Sequence, residues 1–122
     1  GRFQLMAAIA ACHASAPSTE ETDWLQVLTL YDLLLTHDPS PVVRLNHAIA
    51  LAEVLGPEAG LSELDSLGDS LAAYHLFYAA RADLLRRCGR LDDARIADQR
   101  ALDLTTNAAE RNLLTDRLTS AL

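Results

Sequence analysis

Residues 78–106 read YAARADLLRRCGRLDDARIADQRALDLTT. Tyr78, Ala82 and Leu85, and after them Ala94 and Ala101, recur at the spacing that lines one face of a helix. Gly89 falls between the two runs, where a helix C-terminus favours a residue free to take left-handed backbone. The stretch therefore spells two antiparallel helices joined by a tight turn. Small residues at their crossing points let the two backbones approach closely.

This is the pattern of the tetratricopeptide repeat, a helix pair of roughly 34 residues. Tyr78 stands where that repeat has Trp, Ala82 where it has Gly or Ala, and Leu85 where it has Tyr, with Gly89, Ala94 and Ala101 in phase. Two positions depart, Asp98 replacing an aromatic residue and Thr106 a proline. Further out, TDWLQVLTLYDLLLTHDPSPVVRLNHAIALAEVLGPEAG (22–60) supplies the second half of an earlier unit, with Tyr31 and Pro39 in phase. Residues 42–67 hold a middle unit, with Ala48 and Ala59 at crossing points and a shortened turn at Gly56-Pro57. The expected fold is all-α: one domain over 1–122, a right-handed α-solenoid of three such helix pairs and a C-terminal capping helix, seven helices in all. A plain helical bundle is the alternative.

The helix boundaries follow from local chemistry. A first helix over 3–16 carries Leu5, Ala8, Ile9 and Cys12 on one face, and Pro17 ends it. Ser18 and Glu21 form a capping box for a second helix reaching His37, with Trp24, Leu28, Tyr31 and Leu35 as its stripe. Ser40 and Pro41 suit the N-cap and first position of a third, carrying Leu45, Ala48, Ala52 and Leu55. A short fourth helix spans 57–67. Asp69 is expected to cap a long fifth helix to Cys88, apolar on two faces: Leu71, Tyr74, Tyr78, Ala82 and Leu85 on one, Phe77, Leu84 and Cys88 on the other. A sixth covers 91–104, and Asn107 with Glu110 boxes a seventh. That last helix should turn Leu113, Leu114 and Leu118 inward and Arg111, Asp116 and Arg117 outward, as a cap requires.

All ten basic residues are Arg and none is Lys, against seventeen acids, for a net charge of −7. Residues 1–80 carry two Arg against ten acids, residues 81–122 eight Arg against seven. An acidic chain does not grip a phosphate backbone by itself, so no nucleic-acid contact is expected. No apolar run is long enough to span a bilayer. Cys12 and Cys88 stand alone in helical runs, which suits reduced thiols and a cytoplasmic location. The chain starts at Gly1 inside a helical pattern with no initiator Met, as expected of a segment excised from a longer protein.

No two of His13, His37, His47 and His75 share the i, i+3 or i+4 spacing of helical metal ligands. Serines fall in caps and turns, and glycines stand singly, so neither a nucleophile nor a phosphate loop is expected, nor any cofactor. The charged and polar side chains on or beside apolar faces are Asp23, Asp32, Arg44, Asn46, His47, His75, Arg81 and Asp83. They either pair within the chain or line a groove that binds a protein segment. Repeats that clamp a C-terminal carboxylate use Lys, Asn and Arg. With no Lys and an acidic first part, a basic partner is the better match.

Across nearly the whole chain the segments GRFQLMAAIAACHA, TDW, LYDLLL, PSPVVRLNHAIALAE, GPEAGL, AYHLFYAARADLLRRCGR and TTNAAERNLL occur in an order that resembles the C-terminal extension of a group of bacterial extracytoplasmic-function RNA polymerase sigma factors. In that group a tetratricopeptide-like domain follows two promoter-binding regions. His47 departs, since the group usually has Arg after the Asn. The resemblance implies a non-catalytic domain that contacts the sigma regions of its own parent chain, or RNA polymerase, and so sets the factor's activity. A free-standing scaffold docking an unrelated segment is the alternative.

Overall fold

The computed structural model describes residues 1–16 and 22–120. Seven α-helices account for the regular structure, and no strand occurs among the described residues. They are α1 (Arg2–Ser15), α2 (Trp24–Leu35), α3 (Pro41–Leu55), α4 (Pro57–Asp65), α5 (His75–Arg87), α6 (Leu91–Leu104) and α7 (Ala108–Ser120). The chain divides into two compact units, Gly1–Glu63 and Leu64–Leu122.

In the first unit α1 packs on α2 and α2 on α3. Ile9, Val27, Leu34 and Ala50 form its buried centre, with Leu5, Cys12, Trp24, Leu28, Tyr31 and Val43 packed around them. Each Leu, Ile or Val so buried contributes about 1.5–3 kcal/mol, which holds three helices that would be marginal alone. The Trp24 ring meets His13 edge-on at 5.3 Å, a second tie between α1 and α2. Two readings of apolar faces shift. Val27 and Leu34 are the buried residues of α2, one position before the expected Leu28 and Leu35, and Leu55 of α3 is 68% exposed at the helix end.

The caps explain the boundaries. The Ser18–Glu21 box lies outside the described residues; the start of α2 is set by Asp23, whose carboxylate accepts from the Gln26 amide at 3.1 Å. Ser40 caps α3 by accepting from Val43 N, with Pro41 at the first helical position.

In the second unit α5 and α6 make the most extensive helix–helix contact of the chain, and α7 packs on α6. Ala82, Ala94 and Ala101 are buried there beside Phe77, Leu84, Leu85 and Leu114. The expected long fifth helix is shorter, starting at His75 instead of near Asp69, and α4 ends at Asp65. Between them lies a chain of turns anchored by buried Leu67 and Leu71. The Tyr78 hydroxyl donates to Ala72 O at 2.8 Å, taking the carbonyl that a continuous helix would offer to Leu76 N. Leu71 and Tyr74 therefore precede α5 and do not form its stripe.

Gly89 closes α5 with φ +78°, and the amides of Gly89 and Arg90 donate to Arg86 O and Leu85 O at 3.0 and 2.9 Å. These are the paired bonds of a Schellman turn. A Cβ at position 89 would meet no atom within 4 Å, so an alanine there suffers only from its backbone angle. Gly89→Ala should cost about 1–2 kcal/mol in urea unfolding with the slope unchanged.

Candidate functional site

The residues singled out in the sequence divide between the two units. In the first, α2, α3 and α4 converge on His47. Its Nε2 lies 2.6 Å from Asp32 Oδ1, and its Nδ1 lies 2.8 Å from Glu63 Oε2. Carboxylates only accept, so both contacts are hydrogen bonds at once when the ring carries two protons. The His47 side chain is 14% exposed and faces its own chain, where a partner contact would need it outward. Its two ring nitrogens bridge two carboxylates, a task the forked guanidinium of arginine also suits. Glu63 was not among the sequence candidates, because a pairing across sixteen residues has no local signature.

Asn46, one residue away, lines a groove of about 370 Å³ with Arg2, Met6, Tyr31, Asp38 and Val43. Arg2 pairs with Asp38 at 3.1 Å at its edge. Burial pushes the Tyr31 phenol above its ordinary value of 10.0. Asp23 is the α2 cap already described. Arg44 sits half-buried on α3, with its amide donating to Ser40 O.

In the second unit His75, Arg81 and Asp83 go to three separate places. His75 Nε2 lies 2.6 Å from Glu110 Oε2, close enough for an ion pair but not aligned as a hydrogen bond. That same Glu110 oxygen accepts from the buried Thr105 hydroxyl at 2.8 Å. Asn107 does cap α7, its Oδ1 accepting from Glu110 N. The reciprocal half of the expected box is missing, because the Glu110 carboxylate is engaged by Thr105 and His75. Arg81 pairs with Asp65 at 3.2 Å, and Asp83 with Arg87 one helical turn on at 3.1 Å.

The strongest electrostatic feature is one the candidate set omitted. Asp98, on α6, is 1% exposed, with Arg86 of α5 bonded to its Oδ2 and Arg117 of α7 3.0 Å from its Oδ1. Arg117 therefore faces inward and Leu113 is 58% exposed, the reverse of the expected orientations, because the buried carboxylate draws the guanidinium across. Together they border a groove of about 600 Å³ with Leu91, Asp92, Arg95 and Asp116. The sequence did flag the position, as an acid standing where the repeat has an aromatic ring.

Among the described residues no cluster of His, Cys, Asp and Glu is arranged to hold a metal ion, and no helix is long and apolar enough to cross a membrane. Cys12 and Cys88 are half-buried and are not joined in a disulfide. No protein-family model and no solved structure matches the chain. An uncharacterized protein of Rhizobium meliloti (strain 1021) is 46% identical over 110 residues, which are 90% of this chain and 26% of the relative. The chain spans about a quarter of the length of that relative.

Removing the Asp98 carboxylate leaves two arginines facing an apolar seam. Breaking a fully buried pair costs about 3–5 kcal/mol. Arg86 and Arg117 retain 38% and 26% exposure, so Asp98→Ala should lose about 2–3 kcal/mol in urea unfolding. Arg117→Ala, with Arg86 left in place, should lose less. Tyr31 favours folding in its un-ionised form: that contribution is complete below about pH 10 and is lost as pH rises through the raised value. Phenolate absorbance should show one tyrosine ionising above the free-tyrosine range, and Tyr31→Phe should remove that step.

Proposed function

We propose that this chain is a non-catalytic, protein-binding helical domain that regulates an extracytoplasmic-function sigma factor, its helix pairs continuing as a right-handed tetratricopeptide-like solenoid. It acts in the cytoplasm on the sigma regions of its own parent chain or on RNA polymerase, without touching DNA. The observation that carries the reading is the ordered set of segments from GRFQLMAAIAACHA to TTNAAERNLL, which runs across nearly the whole chain. Two further observations support it. A relative alike over 90% of this chain is about three and a half times as long, as expected of one module in a larger protein. The first unit also keeps apolar side chains at its surface, Phe3 at 79% and Leu25 at 63% exposure, and the Asp32 carboxylate is exposed as well. Apolar anchors together with acidic groups suit a partner that is basic and partly apolar.

Promoter-specific transcription in vitro tests the proposal, comparing the parent factor with a version truncated before Gly1 and then restored with residues 1–122 in trans. Lost activity makes the domain a required part of initiation, and raised activity makes it a built-in inhibitor. Unchanged activity rejects the regulatory role in favour of a scaffold for an unrelated segment. Binding to the parent's sigma regions should also weaken as salt rises, since screening shortens the acidic field to about 10 Å at 0.1 M. Affinity that is flat with salt would leave only the apolar contacts.

A further inference from the structure

One face of the α5–α6 pair carries a charge opposite to that of the chain. Asp93, Ile96, Ala97 and Arg100 recur at i, i+3, i+4 and i+7 along α6 and share one side of it with Arg90 at its start. Tyr78 and Arg81 face them from α5, and the groove between measures about 330 Å³. Three guanidinium groups line it against one carboxylate, in a protein of net charge −7.

The three arginines are committed to different degrees. Arg90 is held by Asp93 at 2.9 Å, and Arg81 by Asp65, which is 58% exposed and lies outside the groove lining. Arg100 is exposed and makes no ion pair among the described residues. Its guanidinium stands over the Tyr78 ring, 5.7 Å from the centroid. Stacked on a ring it retains its outward N–H donors, which suits a second, anionic partner. Ile96, 69% exposed, gives the same strip an apolar contact.

We infer that this α5–α6 groove docks an acidic segment of a partner protein, carboxylates meeting Arg100 and Arg90 and an apolar side chain resting on Ile96. Charge complementarity identifies the occupant: the strip has a positive surplus where the rest of the chain repels acids. A peptide fits better than a nucleic-acid backbone, because the positive strip is short and has an exposed isoleucine at its centre. Arg90 and Arg100 are ten positions apart on α6, about 15 Å along its axis. An extended peptide rises about 3.3 Å per residue, so the two acids it offers should be about four or five residues apart. This inference does not rest on the sigma-factor reading and names a surface in the other unit from the acidic one.

The test is fluorescence anisotropy of residues 1–122 with a short labelled peptide carrying two glutamates at that spacing and a leucine between them. Controls are the same peptide with glutamines and a labelled oligothymidylate. Binding of the glutamate peptide but not the glutamine one is expected, about fivefold weaker with Arg100→Gln and lost with Arg100→Glu. Asp93→Asn, which frees Arg90, should tighten binding by a similar factor. Circular dichroism checks that each variant remains helical, which the exposure of position 100 favours. No binding of the glutamate peptide overturns the inference. So does binding indifferent to Arg100 and Asp93, and so does an oligothymidylate that binds more tightly through the same arginines.

Discussion

A carboxylate buried to 1% exposure between three helices governs the second unit. Taking a charge out of water costs several kcal/mol, and only well-placed opposite charges offset it. Asp98 meets this condition with Arg86 from α5 and Arg117 from α7, so one side chain of α6 fixes which face each neighbour presents. An aromatic ring at that position would fill space without demanding anything of residues 86 and 117. The acid makes both choices obligatory, and it turns α7 enough to take Arg117 in and leave Leu113 exposed while Leu114 stays buried.

The same logic extends to the rest of the arginines. A helix ends with carbonyls that have no intrahelical donor, and a guanidinium has enough N–H groups to serve them. Arg111 donates to Leu102 O near the end of α6 at 2.9 Å, and Arg95 to Leu118 O near the end of α7 at 3.1 Å. Arg81, Arg86, Arg87, Arg90 and Arg117 each hold a carboxylate. Residues 81–122 look basic in the sequence because eight arginines fall there, but seven of the eight are engaged within the chain, five of them with a neighbouring helix. Arg100, stacked on Tyr78, is the one of the eight with neither an ion pair nor a carbonyl partner among the described residues, which is why composition alone overstates the basic surface.

What the sequence made legible was whatever is enforced within a few residues. Ser40-Pro41 and Gly89 act locally, and the structure has them as the cap and the turn that they were read to be, while the small alanines at 82, 94 and 101 are buried. What it hid was enforced at a distance. The start of α5 depends on the Tyr78 hydroxyl reaching back to Ala72 O, and no periodicity in residues 69–74 reveals that. The partners of His47 come from α2 and α4, so the histidine stood out in the sequence while Glu63 did not. On α7 Leu114 is inward and Arg111 and Asp116 outward as read, but Leu113 and Arg117 were misplaced because hydrophobicity alone was weighed against a buried acid on the neighbouring helix.

His47 and Asp98 solve one problem from opposite sides. A polar group enclosed by packed helices must be given partners, and each of these residues takes two, from different helices. In the first unit an imidazole is held between carboxylates, and in the second a carboxylate is held between guanidinium groups. What remains exposed differs between the units: in the first, Asp32 is 63% exposed even while bonded, and in the second an arginine on α6 has no acid of its own. Exposed charge of either sign draws its complement, so a helical scaffold stapled by ion pairs still presents two chemically distinct surfaces.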